Sequence, residues 1–75
     1  MYYYAADGQR YVYSHLGECL GKAVEHAVTQ RAALLDKSTT VAVTVYSAKG
    51  PTLASSAVRY VVEASPTLRI TVTNH

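Results

Sequence analysis

Residues 14–36 read SHLGECLGKAVEHAVTQRAALLD, and the period of this stretch decides the fold. Leu16, Cys19, Leu20, Ala23, Val24, Ala27, Val28, Leu34 and Leu35 recur at intervals of three and four, which is the pattern of one apolar helix face. Glu18, Lys22, Glu25 and Thr29 fall on the opposite side. Ser14 stands where an N-cap hydroxyl accepts a bond from a free first-turn amide. Glu18 in the first turn suits the helix dipole, and Lys22 four residues on is the favourable order of an ion pair. The spacing predicts a helix from about His15 to Asp36 or Lys37.

On both sides of this stretch the helical period ends. Upstream, Tyr2, Tyr3 and Tyr4 and then Tyr11, Val12 and Tyr13 flank Asp7-Gly8, a pair that tolerates positive φ at both hairpin-turn positions. Downstream, residues 39–47 set Val41, Val43 and Val45 against Thr40, Ala42, Thr44 and Tyr46. Residues 57–64 set Val58, Tyr60 and Val62 against Arg59, Val61 and Glu63. Residues 67–73 set Leu68, Ile70 and Val72 against Arg69, Thr71 and Thr73. β-Branched and aromatic residues dominate these runs, as pleated half-buried surfaces require. Gly50-Pro51 marks a loop over 47–56, and Ser65-Pro66 marks a turn.

The predicted order is β-β-α-β-β-β. The expected fold class is α+β, a single antiparallel β-sheet with one long amphipathic helix packed on one face. Leu20, Ala23, Val24 and Ala27 are expected to meet Val58, Leu68, Ile70 and Val72. A length of 75 residues fits one domain, residues 1–75. Such a domain removes roughly 60% of its unfolded surface from water, so its core is thin.

Composition narrows the function classes. Apolar residues make up 49% of the chain, which argues against disorder. Charged residues make up 16%, well below the average of about 25%, and so low a charge favours association. A net charge of +2 is too small to indicate nucleic acid by itself. No run approaches the roughly 18 apolar residues of a membrane span. Residues 1–6 lack the pattern of a secretory signal, and Cys19 is the sole cysteine, so a reducing cytoplasm is the expected location.

Catalytic and metal chemistry find little footing. His15 and His26 are eleven apart and His75 is remote, without the paired spacing of metal ligands. Cys19 lies one turn from His15 near a helix start, an arrangement that can activate a thiol. It also lies on the apolar stripe, where a free cysteine acts as a small hydrophobe. The five carboxylates, Asp7, Glu18, Glu25, Asp36 and Glu63, are not paired by spacing. Gly17 and Gly21, four apart in the helix, form a smooth groove for close packing on the sheet or on another helix. Arg31 interrupts the apolar stripe and must extend to water or meet an acidic partner.

With one helix in the chain, the far face of the sheet is expected to stand open and to carry Tyr46, Arg59, Arg69 and Thr71, with Lys49 nearby. These five and Arg31 are the candidate binding residues. No catalytic, cofactor-binding or metal-binding residue is expected. The expected function is a non-enzymatic protein that binds another macromolecule, as a homodimer or with another protein, in the manner of a regulator or inhibitor. The alternatives are a nucleic-acid-binding module on the open face, where bases would stack on tyrosine, and a small-ligand or thiol-dependent protein at Cys19.

The succession of strand, helix and three strands resembles in layout the flavin-storing dodecins. The resemblance covers layout alone, and the chain has no tryptophan for flavin stacking, so no site is carried over. Small inhibitors encoded by phages share the size class.

Overall fold

The computed structural model describes residues 1–48 and 57–75. The elements are β1 (Tyr2–Ala6), β2 (Gln9–Tyr13), α1 (Leu16–Ala33), β3 (Val41–Ser47), β4 (Ala57–Ala64) and β5 (Ile70–Asn74). The strands form one five-stranded sheet in the order β2-β1-β3-β4-β5, with every neighbouring pair antiparallel. The expected α+β architecture with its β-β-α-β-β-β order is present, and α1 packs on one face of the sheet.

Turn chemistry sets the hairpins. Asp7 and Gly8 take φ of 54° and 75°, as the two-residue turn between β1 and β2 requires. The β4–β5 turn is longer than the Ser-Pro pair suggests. The Leu68 amide donates to the Ser65 carbonyl at 2.8 Å, and the Ser65 amide donates to the Arg69 carbonyl at 3.0 Å. Pro66 and Thr67 are the middle of the turn, and Leu68 closes it with φ 62°, a position that favours glycine. The Ser65 hydroxyl also accepts from the Arg69 amide at 3.0 Å. These bonds occupy residues 65–69, so β5 starts at Ile70 rather than Thr67.

The helix is shorter than its apolar period. His15, not Ser14, is the N-cap, and no side chain caps it. At the other end the Leu34 amide donates back to the Arg31 carbonyl. Beyond it, Asp36 Oδ1 accepts from the Ser38 amide at 2.7 Å and the Ser38 hydroxyl at 2.8 Å, and Asp36 Oδ2 accepts from the Thr39 hydroxyl. An aspartate that bonds its following backbone offers the chain an alternative to helix. Leu34 and Leu35 therefore leave the apolar stripe and stand exposed. Lys22 pairs with Glu25 at 3.3 Å instead of with Glu18.

The core is built on small helix residues. Cys19, Ala23 and Ala27 are fully buried, and they let α1 settle closely on Tyr4, Val43, Val45, Val62 and Ala64. Leu20, Val24 and Ile70 are half-buried at its margin. Val58, Leu68 and Val72 do not belong to the core as expected and are 39%, 46% and 46% exposed. Each has its own reason. The β3–β4 pairing shifts register between Val45 and Tyr46, which sets Val58 opposite Tyr46 on the far face. Leu68 sits in the turn. Val72 pairs with the buried Val62 and shares its face, but the helix packs on β3 and β4 and reaches β1 and β2, with little contact to β5. A helix is about 10–12 Å across, while five strands about 4.8 Å apart span nearly twice that.

Gly17 and Gly21 are exposed, with nothing within 4 Å of a Cβ built at either. The expected packing of this groove on the chain's own sheet is therefore absent.

Candidate functional site

The uncovered flank at β5 brings together what the helix leaves unburied. By the helical period, Leu20, Val24 and Val28 flank the buried row on the side opposite Lys22, His26 and Thr29. The latter three line a cleft with Tyr4, Tyr11 and Tyr13, over β1 and β2. Leu20, Val24 and Val28 therefore border the β4–β5 side. Ile70 and Val72 lie on β5 at that side of the sheet, and Leu68, Leu34 and Leu35 are exposed past the helix end.

The same strand is an open edge. The Arg59 carbonyl accepts from the His75 amide at 2.8 Å, so the bonded pairs of the β4–β5 ladder fall at odd residues of β5. The amides and carbonyls of Ile70, Val72 and Asn74 consequently point away from the sheet. Natural edges are defended by charge, proline, bulges or cover. The segment Ile-Thr-Val-Thr-Asn has no charged residue or proline, and its pairing with β4 is regular. At the opposite edge, β2 carries Arg10.

The five candidate binding residues that the structure describes do not converge. Tyr46 stacks on Tyr3 with centroids 5.1 Å apart, and the Arg10 guanidinium lies 5.8 Å from the Tyr3 centroid. This part of the far face is closed by its own side chains, and Tyr3 is 7% exposed. Arg59 lies opposite His75, and Arg69 lies opposite Ser65, at the other end of the hairpin. At about 3.3 Å per residue the two positions are roughly 20 Å apart. The two residues therefore stand six positions apart along the hairpin. Thr71 is exposed beside Glu63 on β5. Lys49 lies outside the described residues.

Arg31 is the candidate the structure makes most distinctive. It neither extends to water nor meets an acidic partner within ion-pair distance; it is 5% exposed, and its Nε is sealed from solvent without a hydrogen-bond partner. It lines an open cleft of about 610 Å³ with Leu34, Leu35, Asp36, Lys37 and Leu68. The Thr39 hydroxyl, then the Ser38 amide and hydroxyl, hold the Asp36 carboxyl down at about 2, with a smaller contribution from Arg31. Asp36 is thus ionised through the neutral range, and the stabilisation from its bonds is lost as pH falls from the usual carboxylate range towards about 2.

Two further groups belong to the core rather than to a reactive centre. Cys19 is fully buried, and burial pushes its thiol up to about 11. At neutral pH it is a thiol, not the thiolate a nucleophile requires. The Tyr4 hydroxyl bonds His26 Nδ1 at 2.5 Å under the stacked ring of Tyr11. Burial, and then its bond to Tyr13, push the Tyr4 phenol well above its ordinary value. Among the described residues no three histidine, cysteine or carboxylate side chains gather as a metal site, and no helix is long and apolar enough to cross a membrane.

The β5 flank was not among the sequence expectations, although one signal for it was there. A single helix cannot cover five strands, and the last strand carries alternating apolar residues without charge on its own face. No family model, no curated protein and no solved structure matches this chain.

Proposed function

We propose that this chain is a non-enzymatic interaction protein whose working surface is the β5 edge, and that its first partner is a second copy of itself. The observation that carries the reading is Val72. It faces inward from a strand whose outward backbone is unpaired, yet it is 46% exposed. Antiparallel pairing of two β5 strands about a twofold axis at Val72 would set Ile70 opposite the partner's Asn74. It would satisfy three outward amides per copy and bring two apolar flanks together. The strand suits a self-complementary contact because it carries no charge to repel its copy. Low overall charge supports the same reading.

Sedimentation equilibrium at micromolar concentration tests it. The mass is expected at twice the 8.1 kDa chain. Val72→Lys sets two ammonium groups against each other at the axis, where like charges cost several kcal/mol, so the dimer dissociation constant should rise on the order of a hundredfold or more. The variant should keep its circular dichroism spectrum, since Val72 contributes little to the monomer core. Equal masses for the wild type and Val72→Lys would remove β5 as the interface.

A further inference from the structure

We propose that two copies paired through β5 form phosphate sites on the face of the sheet away from the helix, each built from Arg69 of one copy with the partner's Arg59 and the partner's His75, and that the ligand is a phosphomonoester. The inference rests on the β5 pairing proposed above.

Within one chain the parts of this site are apart. Odd-numbered residues of β4 and β5 pair with one another, Val61 with Thr73 and Glu63 with Thr71. The bonds from His75 to Arg59 and from Ser65 to Arg69 continue that ladder at its two ends. Val62 is buried against the helix and Val72 pairs with it, so Arg59, Arg69 and His75 fall on the far face by alternation. Arg69 and His75 are exposed, and Arg59 is half-buried. None of the three makes an ion pair among the described residues. Glu63 shares this face and lies diagonal to Arg69, yet it is not within ion-pair distance.

The twofold axis at Val72 brings the parts together. It sets Ile70 opposite the partner's Asn74, and therefore Arg69 opposite the partner's His75. The partner's Arg59 is next in the same row, because Arg59 pairs with His75 in each chain. Strands lie about 4.8 Å apart, so the backbones of Arg69 and the partner's Arg59 come to roughly 10 Å, a span that two arginine side chains can close on one small ligand. Symmetry repeats the site at the other end of the seam. No single chain contains it.

The chemistry of the row names the ligand. Two guanidinium groups without a paired carboxylate favour an anion between them. Each arginine offers a fork of parallel N–H groups to an oxyanion. A carboxylate or a phosphodiester has two free oxygens, which suit one fork. A phosphomonoester has three acceptor oxygens and a charge of about −1.5 to −2, which matches two guanidinium groups. The histidine ring adds a further N–H donor.

Sedimentation and calorimetric titration at neutral pH test this, with methyl phosphate as the probe and with dimethyl phosphate and chloride at equal ionic strength as comparators. Methyl phosphate should bind one per chain, with a dissociation constant on the order of millimolar. A ligand that occupies both sites of the dimer and none on the monomer should tighten the dimer about a hundredfold at ten times that constant. Dimethyl phosphate should bind at least about tenfold more weakly. Arg59→Gln and Arg69→Gln should each weaken methyl phosphate by about tenfold or more, while the dimer in chloride persists. A dimer equally strong in methyl phosphate and in chloride would overturn this site and leave the β5 pairing standing. Equal binding of dimethyl phosphate, or methyl phosphate bound undiminished by monomeric Val72→Lys, would overturn it as well. A wild-type chain that stays monomeric in both salts would overturn the pairing and this site with it. The wild-type comparison of anions decides the matter even if a variant fails to fold.

Discussion

Tyr4→Ala is expected to remove a large part of the protein's folding stability. Tyr4 is the largest fully buried side chain, and it joins both layers of the domain. Its ring stacks on Tyr11 at 5.1 Å and lies 6.1 Å from Tyr13, while its hydroxyl bonds His26 on the helix. Truncating a buried aromatic ring to alanine costs about 3–5 kcal/mol. A domain of this length has a total stability of about 4–11 kcal/mol at roughly 0.05–0.15 kcal/mol per residue. Tyr4→Phe keeps the ring and removes the hydroxyl, leaving His26 Nδ1 without this hydrogen-bond partner, and should cost about 1 kcal/mol. Urea denaturation followed by circular dichroism measures both. A small loss for alanine would mean that the tyrosine cluster is not the foundation of the core, and a phenylalanine loss as large as that of alanine would assign the stability to the hydroxyl.

The tyrosines also show how far local pattern carries. Asp7-Gly8 between alternating aromatic runs is enough to place the first hairpin, because the turn fixes the register. The position and buried side of α1 follow from apolar spacing, whereas its early end is set by the Asp36 bonds. What spacing could not convey is which strands the helix would lie over. The order β2-β1-β3-β4-β5 brings the N-terminal hairpin beside β3, and the helix then settles toward that side. Tyr4, Tyr11 and Tyr13 thereby enter the core region, and the valine of the most regular strand, Val72, is left out. Val58 was misplaced by one bulge, since in a strand a slip of one residue moves a side chain to the other face. Arg59 and Arg69 lie close in sequence to the same turn region, but β4 separates them by nearly its whole length.

Arg31→Met should raise the melting temperature. Methionine preserves much of the aliphatic length that arginine packs against the core and removes a guanidinium whose Nε is buried and unpartnered. Replacing buried charge by apolar volume is often stabilising. Arg31 lines an open cleft rather than the centre of the core, so the gain should be at the low end, about 1 kcal/mol, or about 4–8 °C in a domain this small. Calorimetry on the unliganded protein reads this directly. A lowered midpoint would show that the charge of Arg31 is well compensated in the folded protein. The expected gain instead marks a position kept for something other than stability, as functional sites often are.

The edge of β5 is where the account is most exposed to test. Amide hydrogen exchange should be followed residue by residue at two protein concentrations, one well above and one well below the dimer dissociation constant found by sedimentation. The amides of Ile70, Val72 and Asn74 point away from β4 and have no partner among the described residues of the monomer. They are expected to exchange slowly at the high concentration and quickly at the low one. Val12 and its neighbours on the β2 edge should exchange alike at both. Fast exchange of Ile70, Val72 and Asn74 at every concentration, above all in a protein that sediments as a dimer, would contradict pairing through β5.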